Sequence, residues 1–184
     1  MKHAIIVHGF KGKPDTNWKP WLKRELEGEG FVVNVPEMPN TDYPEVLAWV
    51  SKLASTVGNV NDEIYLIGHS LGCITILKYL EKLDARVRIK ACVFVAGFGE
   101  KFEGYNGGHD SFFEESVDWE KVKSHCDEFY VIHSKDDPNV PFSQRLLFGT
   151  NLDANTTEFD GMGHFGSADG VFEIPIVKEI ILGL

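Results

Sequence analysis

The sequence contains few cysteines, and their spacing argues against a disulfide framework. Cys73, Cys92 and Cys126 are widely separated, and none of them belongs to a C-x-x-C pair. An odd number of unpaired cysteines is typical of a reducing compartment, where a cysteine in an apolar run packs as a small hydrophobic side chain. The cysteine content therefore favours a cytoplasmic location.

Long apolar runs are also missing. No stretch approaches the ~20 apolar residues that a membrane-spanning helix needs. The first apolar run, Ala4 to Val7, is too short for the core of a signal peptide, and no small-residue cleavage site follows it. We therefore expect a cytoplasmic protein that does not bind membranes.

Positive charge is scarce. Lys and Arg number 18 against 28 Asp and Glu, which gives a formal net charge of -10. Nucleic acids and anionic membranes are bound through clustered Lys and Arg, so neither is expected as a partner. The remaining composition, 43% hydrophobic and 25% charged, is that of an ordinary globular protein.

Strand-like and helix-like segments alternate along the chain. A chain of 184 residues supports one hydrophobic core more readily than two, so we expect a single domain over residues 1–184. The predicted strands are 4–7, 31–35, 63–67, 91–96, 129–133 and 156–159, and the predicted helices are 18–26, 43–57, 73–83, 119–124, 143–148 and 176–182. Asp15 or Thr16 is expected to cap the first helix. This alternation predicts a mainly parallel sheet with helices on both faces, a three-layer α/β/α sandwich.

Residues 98–118 interrupt this alternation. The segment has no periodicity and is rich in Gly, Phe and Glu. A long irregular connection that follows a strand is commonly functional, so we interpret it as a candidate lid or substrate-binding loop. The candidate substrate contacts are Phe98, Phe102, Phe112 and Phe165. His109-Asp110 lacks a third ligand at metal-binding spacing, so no metal site is predicted.

The segment with the clearest chemical meaning is Gly68-His69-Ser70-Leu71-Gly72, which has the form G-x-S-x-G. A glycine and serine cluster is often only a loop. Here an apolar strand-like run precedes it and a segment of helical spacing follows it, which is the context of a nucleophile on a sharp strand-to-helix turn. Ser70 is therefore the candidate nucleophile.

Ser70 needs a base, and a histidine base needs a carboxylate that fixes its tautomer. His164 is the preferred base because it lies after the last strand in a glycine-flanked loop, where no helix or sheet constrains it. His133 lies inside a strand, and His8 is expected to support its loop structurally. The residues alone leave two candidate acids open, Asp136 and Asp137.

These segments together resemble the α/β-hydrolase superfamily, in which the chain order is also Ser, Asp, His. Within it, the sequence is similar to the small serine hydrolases of the YdeN and retinoblastoma-binding serine hydrolase type. Besides the serine motif, the matching segments are His8-Gly9-Phe10, Trp18-x-x-Trp21-Leu22, Met38-Pro39-Asn40, Trp119-Glu120-Lys121-Val122, Ser134-Lys135-Asp136-Asp137 with Val140-Pro141, and Gly163-His164-Phe165. They span nearly the whole chain.

The resemblance implies a six-stranded sheet in the order 2-1-3-4-5-6 without a large cap domain. It implies an acid from a D-x-x-[VI]-P turn, which selects Asp137 and keeps Asp136 as the alternative. The backbone N–H groups of Phe10 and Leu71 would form the oxyanion hole. No cofactor is implied. Retinoblastoma binding is not supported, because the L-x-C-x-E motif is absent from the segment 71–75.

The leading hypothesis is therefore a serine hydrolase that cleaves small carboxylic esters through an acyl-enzyme, with amides or thioesters as other substrates. The alternative is a binding or regulatory protein that keeps the fold without turnover. A metal hydrolase is a weaker third hypothesis, since neither H-x-H nor H-E-x-x-H occurs. The oligomeric state is not predicted.

Overall fold

The computed structural model describes residues 1–58, 63–105 and 107–184. The strands are β1 (Lys2–Val7), β2 (Val32–Asn34), β3 (Glu63–His69), β4 (Ile89–Val95), β5 (Cys126–Ser134) and β6 (Asn155–Phe159). The helices are α1 (Lys19–Gly28), α2 (Val46–Val57), α3 (Leu71–Leu80), α4 (Trp119–Ser124), α5 (Arg145–Leu152) and α6 (Pro175–Leu182). No helix in these described ranges is long and apolar enough to cross a bilayer. The predicted alternation is confirmed, with boundaries that differ by a few residues.

The six strands form one parallel sheet in the order β2-β1-β3-β4-β5-β6. The predicted strand order is therefore confirmed. Val7 at the end of β1 pairs with Gly68 of β3, and His69 at the end of β3 pairs with Val95 of β4. The loops that follow these strands consequently meet at one edge of the sheet, where parallel α/β folds bind their ligands.

Helices cover both faces of the sheet, as the alternation of side chains along β1 illustrates. Ile5 and Val7 pack in the core cluster that contains residues of α2, α3, α4 and α5. Ala4 and Ile6 point to the other face, where they pack with residues of α1 and α6. Because both faces are buried, the inner strands are apolar at consecutive positions. The fold is the predicted three-layer α/β/α sandwich.

Helix α1 begins differently from the sequence prediction, which is wrong about its cap. Trp18 is the N-cap residue, and no side chain caps the helix. Thr16 Oγ1 instead donates to the carbonyl oxygen of Lys13 at 3.1 Å and accepts from Lys19 Nζ at 3.4 Å. The hydroxyl is therefore part of the turn before the helix, and Lys19, the first helical residue, points toward it.

Candidate active site

Ser70 occupies a strained turn between β3 and α3. Its backbone has φ 54° and ψ -119°, a conformation that costs a non-glycine residue about 1–3 kcal/mol. Two hydrogen bonds hold the turn, since Ser70 N–H donates to the Val95 carbonyl and Cys73 N–H donates to the Ser70 carbonyl, both at 2.9 Å. The predicted strand, turn and helix around the serine are confirmed. Ser70 lines a cleft at the carboxyl edge of the sheet.

Two glycines allow the elements around Ser70 to pack this closely. A Cβ atom on Gly72 would lie 2.2 Å from the carbonyl oxygen of Val7. A Cβ atom on Gly68 would lie 2.9 Å from the backbone of Cys73. Because the obstructing atoms belong to the backbone, neither contact could relax by a side-chain rotation. Glycine at both positions is therefore required for α3 to lie against β1 and β3.

Asp137 and His164, which follow β5 and β6, are in direct contact. His164 Nδ1 lies 2.8 Å from Asp137 Oδ2 and 3.0 Å from Oδ1. Asp137 Oδ1 also accepts the backbone N–H groups of Asn139 at 2.8 Å and Val140 at 3.0 Å, and its side chain is buried. A carboxylate placed in this way keeps the proton on Nδ1 and leaves Nε2 of His164 as an acceptor. His164 lines the same cleft as Ser70.

Asp136, the alternative acid, has different partners. Its Oδ1 accepts the backbone N–H groups of Gly161 at 2.9 Å and Gly163 at 3.3 Å. It therefore binds the main chain of the loop that carries His164 and not the imidazole ring. Of the two aspartates that the residues left open, Asp137 is the one that contacts His164.

Two further contacts fix the backbone of His164, and sequence reasoning missed both. His69 Nε2 donates to the carbonyl oxygen of His164 at 2.8 Å. Asp169 Oδ2 accepts the N–H groups of His164 at 3.1 Å and of Gly166 at 3.0 Å. The place of His69 beside Ser70 was a signal that it lies near the site. An aspartate five residues after a histidine carries no such signal.

The proton on His69 Nε2 is consistent with a neutral ring. Burial, followed by the proximity of His164, lowers the pKa of His69 well below its usual value. A neutral His69 keeps one ring N–H to donate to the His164 carbonyl. It also places no second positive charge beside His164 when that residue accepts a proton.

His8 orients the loop that follows β1. The backbone N–H of Met38 donates to His8 Nε2 at 3.1 Å, so the ring proton is on Nδ1, which donates to the Gly9 carbonyl at 2.9 Å. Burial lowers the pKa of His8, which keeps the ring neutral. Because the peptide group is planar, fixing the Gly9 carbonyl also fixes the direction of the Phe10 N–H. The structural role predicted for His8 is confirmed.

The backbones of Phe10 and Leu71 lie on either side of Ser70. A Cβ atom on Gly9 would lie 3.0 Å from Ser70 Cβ and 3.5 Å from Oγ, so the loop after β1 runs directly against the serine. Leu71 is the first residue of α3, and the first N–H groups of a helix have no partner inside it. Phe10 and Leu71 both line the cleft. The backbones of both residues therefore lie close to the serine, at the cleft.

One wall of the cleft is aromatic. The cleft has a volume of about 280 Å³, and the rings on this wall belong to Phe98, Phe102, Tyr105 and His109. The Phe98 ring lies 5.6 Å from that of Phe102 and 5.9 Å from that of His109, measured between centroids. All four residues belong to the 98–118 segment, in which residue 106 lies outside the described residues. Phe98 and Phe102, two of the predicted substrate contacts, thus line the cleft.

The other two predicted substrate contacts are corrected by the structure. Phe112 is completely buried and lies edge-on to Trp49, with 5.9 Å between ring centroids. Phe165 is also completely buried and packs on Phe159 at 6.0 Å. Neither ring is on the cleft wall, because each anchors its loop to a core cluster. An aromatic residue in a loop can serve either purpose, and the sequence does not distinguish them.

The structure gives His109-Asp110 no metal-binding arrangement. Asp110 Oδ1 accepts a hydrogen bond from Lys101 Nζ at 2.6 Å, on the surface. The His109 ring instead packs among aromatic rings, the nearest being Tyr105 at 4.9 Å. In the part of the chain that the structure describes, no three or more His, Cys, Asp or Glu side chains are grouped so as to bind a metal ion.

Comparisons with known proteins identify the family of the chain. Residues 4–182 match the family model described as serine hydrolase. The putative hydrolase YdeN of Bacillus subtilis (strain 168) is 32% identical over 180 residues, which cover 98% of this chain and 94% of YdeN. The serine hydrolase RBBP9 of Rattus norvegicus is 26% identical over 181 residues, which cover 97% of this chain and 95% of RBBP9.

Solved structures show the same fold. The crystal structure of the ydeN gene product from B. subtilis aligns with a TM-score of 0.93 at 31% identity, covering 100% of this chain and 98% of the other. Est1E from Butyrivibrio proteoclasticus aligns with a TM-score of 0.74 at 18% identity, covering 98% of this chain and 87% of the other. At that identity the second likeness concerns the fold alone.

Proposed function

The chain belongs to the serine hydrolase family of small α/β-hydrolase proteins, and from this premise we propose that Ser70, His164 and Asp137 form a catalytic triad that cleaves small carboxylic esters. The observation that carries the proposal is the 2.8 Å contact between His164 Nδ1 and the buried Asp137 carboxylate, in a cleft that also contains Ser70. The three roles follow from the chemistry of a serine nucleophile.

In the proposed reaction, Ser70 Oγ attacks the ester carbonyl carbon while His164 Nε2 takes its proton. The N–H groups of Phe10 and Leu71 stabilise the negative oxygen of the tetrahedral intermediate. His164 then gives its proton to the leaving alcohol, and the C–O bond breaks to leave an acyl-enzyme. A water molecule, deprotonated by His164, attacks the acyl carbonyl carbon. The bond to Ser70 Oγ then breaks as His164 returns the proton to Oγ, and the acid is released. Asp137 holds the imidazole and stabilises its cationic form throughout.

The cleft favours small substrates. A volume of about 280 Å³ accommodates a compact acyl group, and the Phe98 and Phe102 rings offer it an apolar wall. Phe112 fixes the same segment to the core. For residues 98–118, this favours the hypothesis of a substrate-binding wall rather than that of a detached lid. The single domain over residues 1–184 and the cytoplasmic location stay predictions from the sequence.

The proposal is tested by replacing the nucleophile. We expect Ser70→Ala to abolish labelling by a fluorophosphonate probe and to lower kcat for 4-nitrophenyl acetate by at least about a thousandfold, because no acyl-enzyme can form. Ser55→Ala, at an exposed position on α2, is the matched control and should behave as the unmodified protein.

Two outcomes would contradict the proposal in different ways. Labelling that persists in Ser70→Ala would show that another residue is the nucleophile. Labelling of Ser70 without turnover of any ester, amide or thioester in a broad panel would favour the alternative, a binding or regulatory protein that retains the fold.

A further inference from the structure

A second cavity, of about 440 Å³, reaches Ser70 and His164 from another direction. The aromatic cleft is lined by residues that follow β4 and begin α3, whereas this cavity lies between the loop after β1 and the loop after β6. The residues that line it but not the aromatic cleft include Lys11, Thr16, Asn17, Lys19, His69 and Asp169. This wall is polar, in contrast to the aromatic one.

Lys19 is the unusual member of this wall. It is only 1% exposed, and among the described residues its ammonium group forms no ion pair and one long hydrogen bond, to Thr16 Oγ1 at 3.4 Å. The group also lies 6.0 Å from the Trp18 ring centroid. Removing an ammonium group from water costs several kcal/mol unless an anion accompanies it. A buried lysine that lacks a carboxylate partner and lines a cavity therefore indicates a place for an anion.

The neighbouring charges also favour an anion in this cavity. Burial lowers the pKa of Lys19 to about 8, while the exposed Asp15 carboxylate opposes that shift, so Lys19 carries a positive charge at neutral pH. Lys11 adds a second positive charge. Among the described residues, Asp169 is the one carboxylate on this wall, and it already accepts two backbone N–H groups. His69 is held neutral by burial, which lowers its pKa, and does not add a charge.

Hydrogen-bond donors are also available here. Asn17 accepts the Ser167 N–H at 2.9 Å with its Oδ1 atom. That bond fixes the carboxamide, so its Nδ2 group is a further donor on the wall. Together with the Lys19 ammonium, it suits an oxygen-rich anionic group.

We propose that this cavity binds a carboxylate or phosphate group carried by the alcohol portion of the ester, so that the protein prefers esters of anionic alcohols. This inference rests on the proposed function. His164 must deliver a proton to the leaving oxygen. His164 itself lines both spaces, but the following residues of its loop, 166–169, border only this cavity, so we place the leaving alcohol on this side. The acyl group then lies against the aromatic wall.

Matched acetyl esters test the proposal. The anionic esters are 2-acetoxyacetate and 2-acetoxyethyl phosphate, and the neutral reference is methyl 2-acetoxyacetate. We expect kcat/KM of the unmodified protein to be at least about tenfold higher for one of the anionic esters than for the neutral ester, which is about 1.4 kcal/mol. Comparing kcat/KM for the carboxylate ester and the phosphate ester shows which group the cavity prefers.

Lys19→Met keeps the length and apolar stem of the side chain while removing its charge. We expect this variant to lose most of the preference, lowering the ratio of the two kcat/KM values by about tenfold. Lys13→Met is the control, since Lys13 is exposed on the same loop and does not line the cavity. The preference of the unmodified protein should also decline as the pH rises from about 7 to about 9, because Lys19 loses its proton in that range.

Binding provides a readout that does not depend on turnover. Calorimetry with Ser70→Ala should detect binding of glycolate, the alcohol product of 2-acetoxyacetate. The double variant Ser70→Ala/Lys19→Met should bind glycolate at least about tenfold more weakly. Circular dichroism confirms that each variant is folded. The inference is overturned if the unmodified protein has nearly the same kcat/KM for the anionic and the neutral esters. It is also overturned if Lys19→Met leaves the ratio of these kcat/KM values unchanged. If Ser70 is not labelled and no ester is cleaved, the proposed function itself fails.

Discussion

The two walls beside Ser70 are held in place by different kinds of interaction. Hydrogen bonds to Asp169 and His69 fix the loop that carries His164. Ring contacts hold the opposite wall, for example between Phe98 and Phe102. Hydrogen bonds are short and directional, whereas packing among apolar rings tolerates changes of shape. We infer that the first wall sets the geometry of the chemistry and that the second sets the shape of the acyl group.

This difference predicts how each wall responds to substitution. Changes that remove the hydrogen bonds to the His164 loop should lower kcat for every substrate, because they displace the base. Changes in the aromatic wall should alter KM and the choice of acyl group, because they leave the base in place. The following substitutions test this separation, beginning with the largest expected effect.

Asp137→Asn is expected to have the largest effect of the three. The substitution removes the charge that stabilises the imidazolium and lets an amide N–H group face His164 Nδ1, which favours the wrong tautomer. We expect kcat for 4-nitrophenyl acetate to fall by about a thousandfold to ten-thousandfold, with little change in KM. Steady-state kinetics at about pH 7.5 measure this effect.

Asp136→Asn is the adjacent control for that experiment. Its side-chain oxygen can still accept the N–H groups of Gly161 and Gly163, so we expect activity within about threefold of the unmodified protein. A larger loss of kcat in Asp136→Asn than in Asp137→Asn would reverse the assignment of the acid.

Asp169→Ala should have an intermediate effect. It removes the acceptor for the N–H groups of His164 and Gly166, which loosens the base without removing it. Because Asp169 is exposed, its hydrogen bonds contribute less free energy than buried bonds to a charged group. We therefore expect kcat to fall by about tenfold with KM nearly constant. Asp160→Ala is the control, because its exposed carboxylate forms no hydrogen bond within the described residues. Equal activity of both variants would remove Asp169 from the positioning of His164.

Phe102→Leu should have the smallest effect, confined to substrate choice. Phe102 is half-buried on the cleft wall and contacts the rings of Phe98 and Tyr105. We expect KM for aromatic acyl esters to rise by about three- to tenfold, with kcat changed by less than about twofold. Phe113→Leu also disturbs a ring contact with Phe98 but does not line the cleft, so it is the matched control. A drop in kcat for all esters in Phe102→Leu would contradict the separation of the two walls.

The fold and the candidate residues Ser70 and His164 leave signals in the sequence. The parallel sheet followed from the alternating segments, and its strand order followed from the family resemblance. Ser70 was selected as the candidate nucleophile because the five-residue turn around it is a continuous motif, in which a Cβ atom on either glycine would meet backbone atoms of β1 or α3. His164 was selected as the candidate base because it lies in a glycine-flanked loop after the last strand.

The supporting residues could not be predicted, because their partners are distant in the sequence. His69 contacts a carbonyl 95 positions away, and no periodicity reports such a bond. Lys19 occupies the first position of a helix, where a lysine is ordinarily assumed to be solvated, yet it is buried. Phe112 and Phe165 were wrongly predicted to contact substrate. An aromatic residue in a loop is expected to be buried, but the sequence does not show whether it packs in the core or lines a cleft.

The sequence separation of the residues that form the site also affects the order in which its parts assemble during folding. The turn at Ser70 forms from adjacent residues, whereas the Asn17 side chain must meet the Ser167 backbone, 150 positions further on. Contacts that close such long loops are slow to form and generally late in folding. During synthesis the Ser70 turn therefore precedes the segment that carries His164. In the proposed triad, the nucleophile would be made well before its base, and activity would begin only once the loop after β6 has docked.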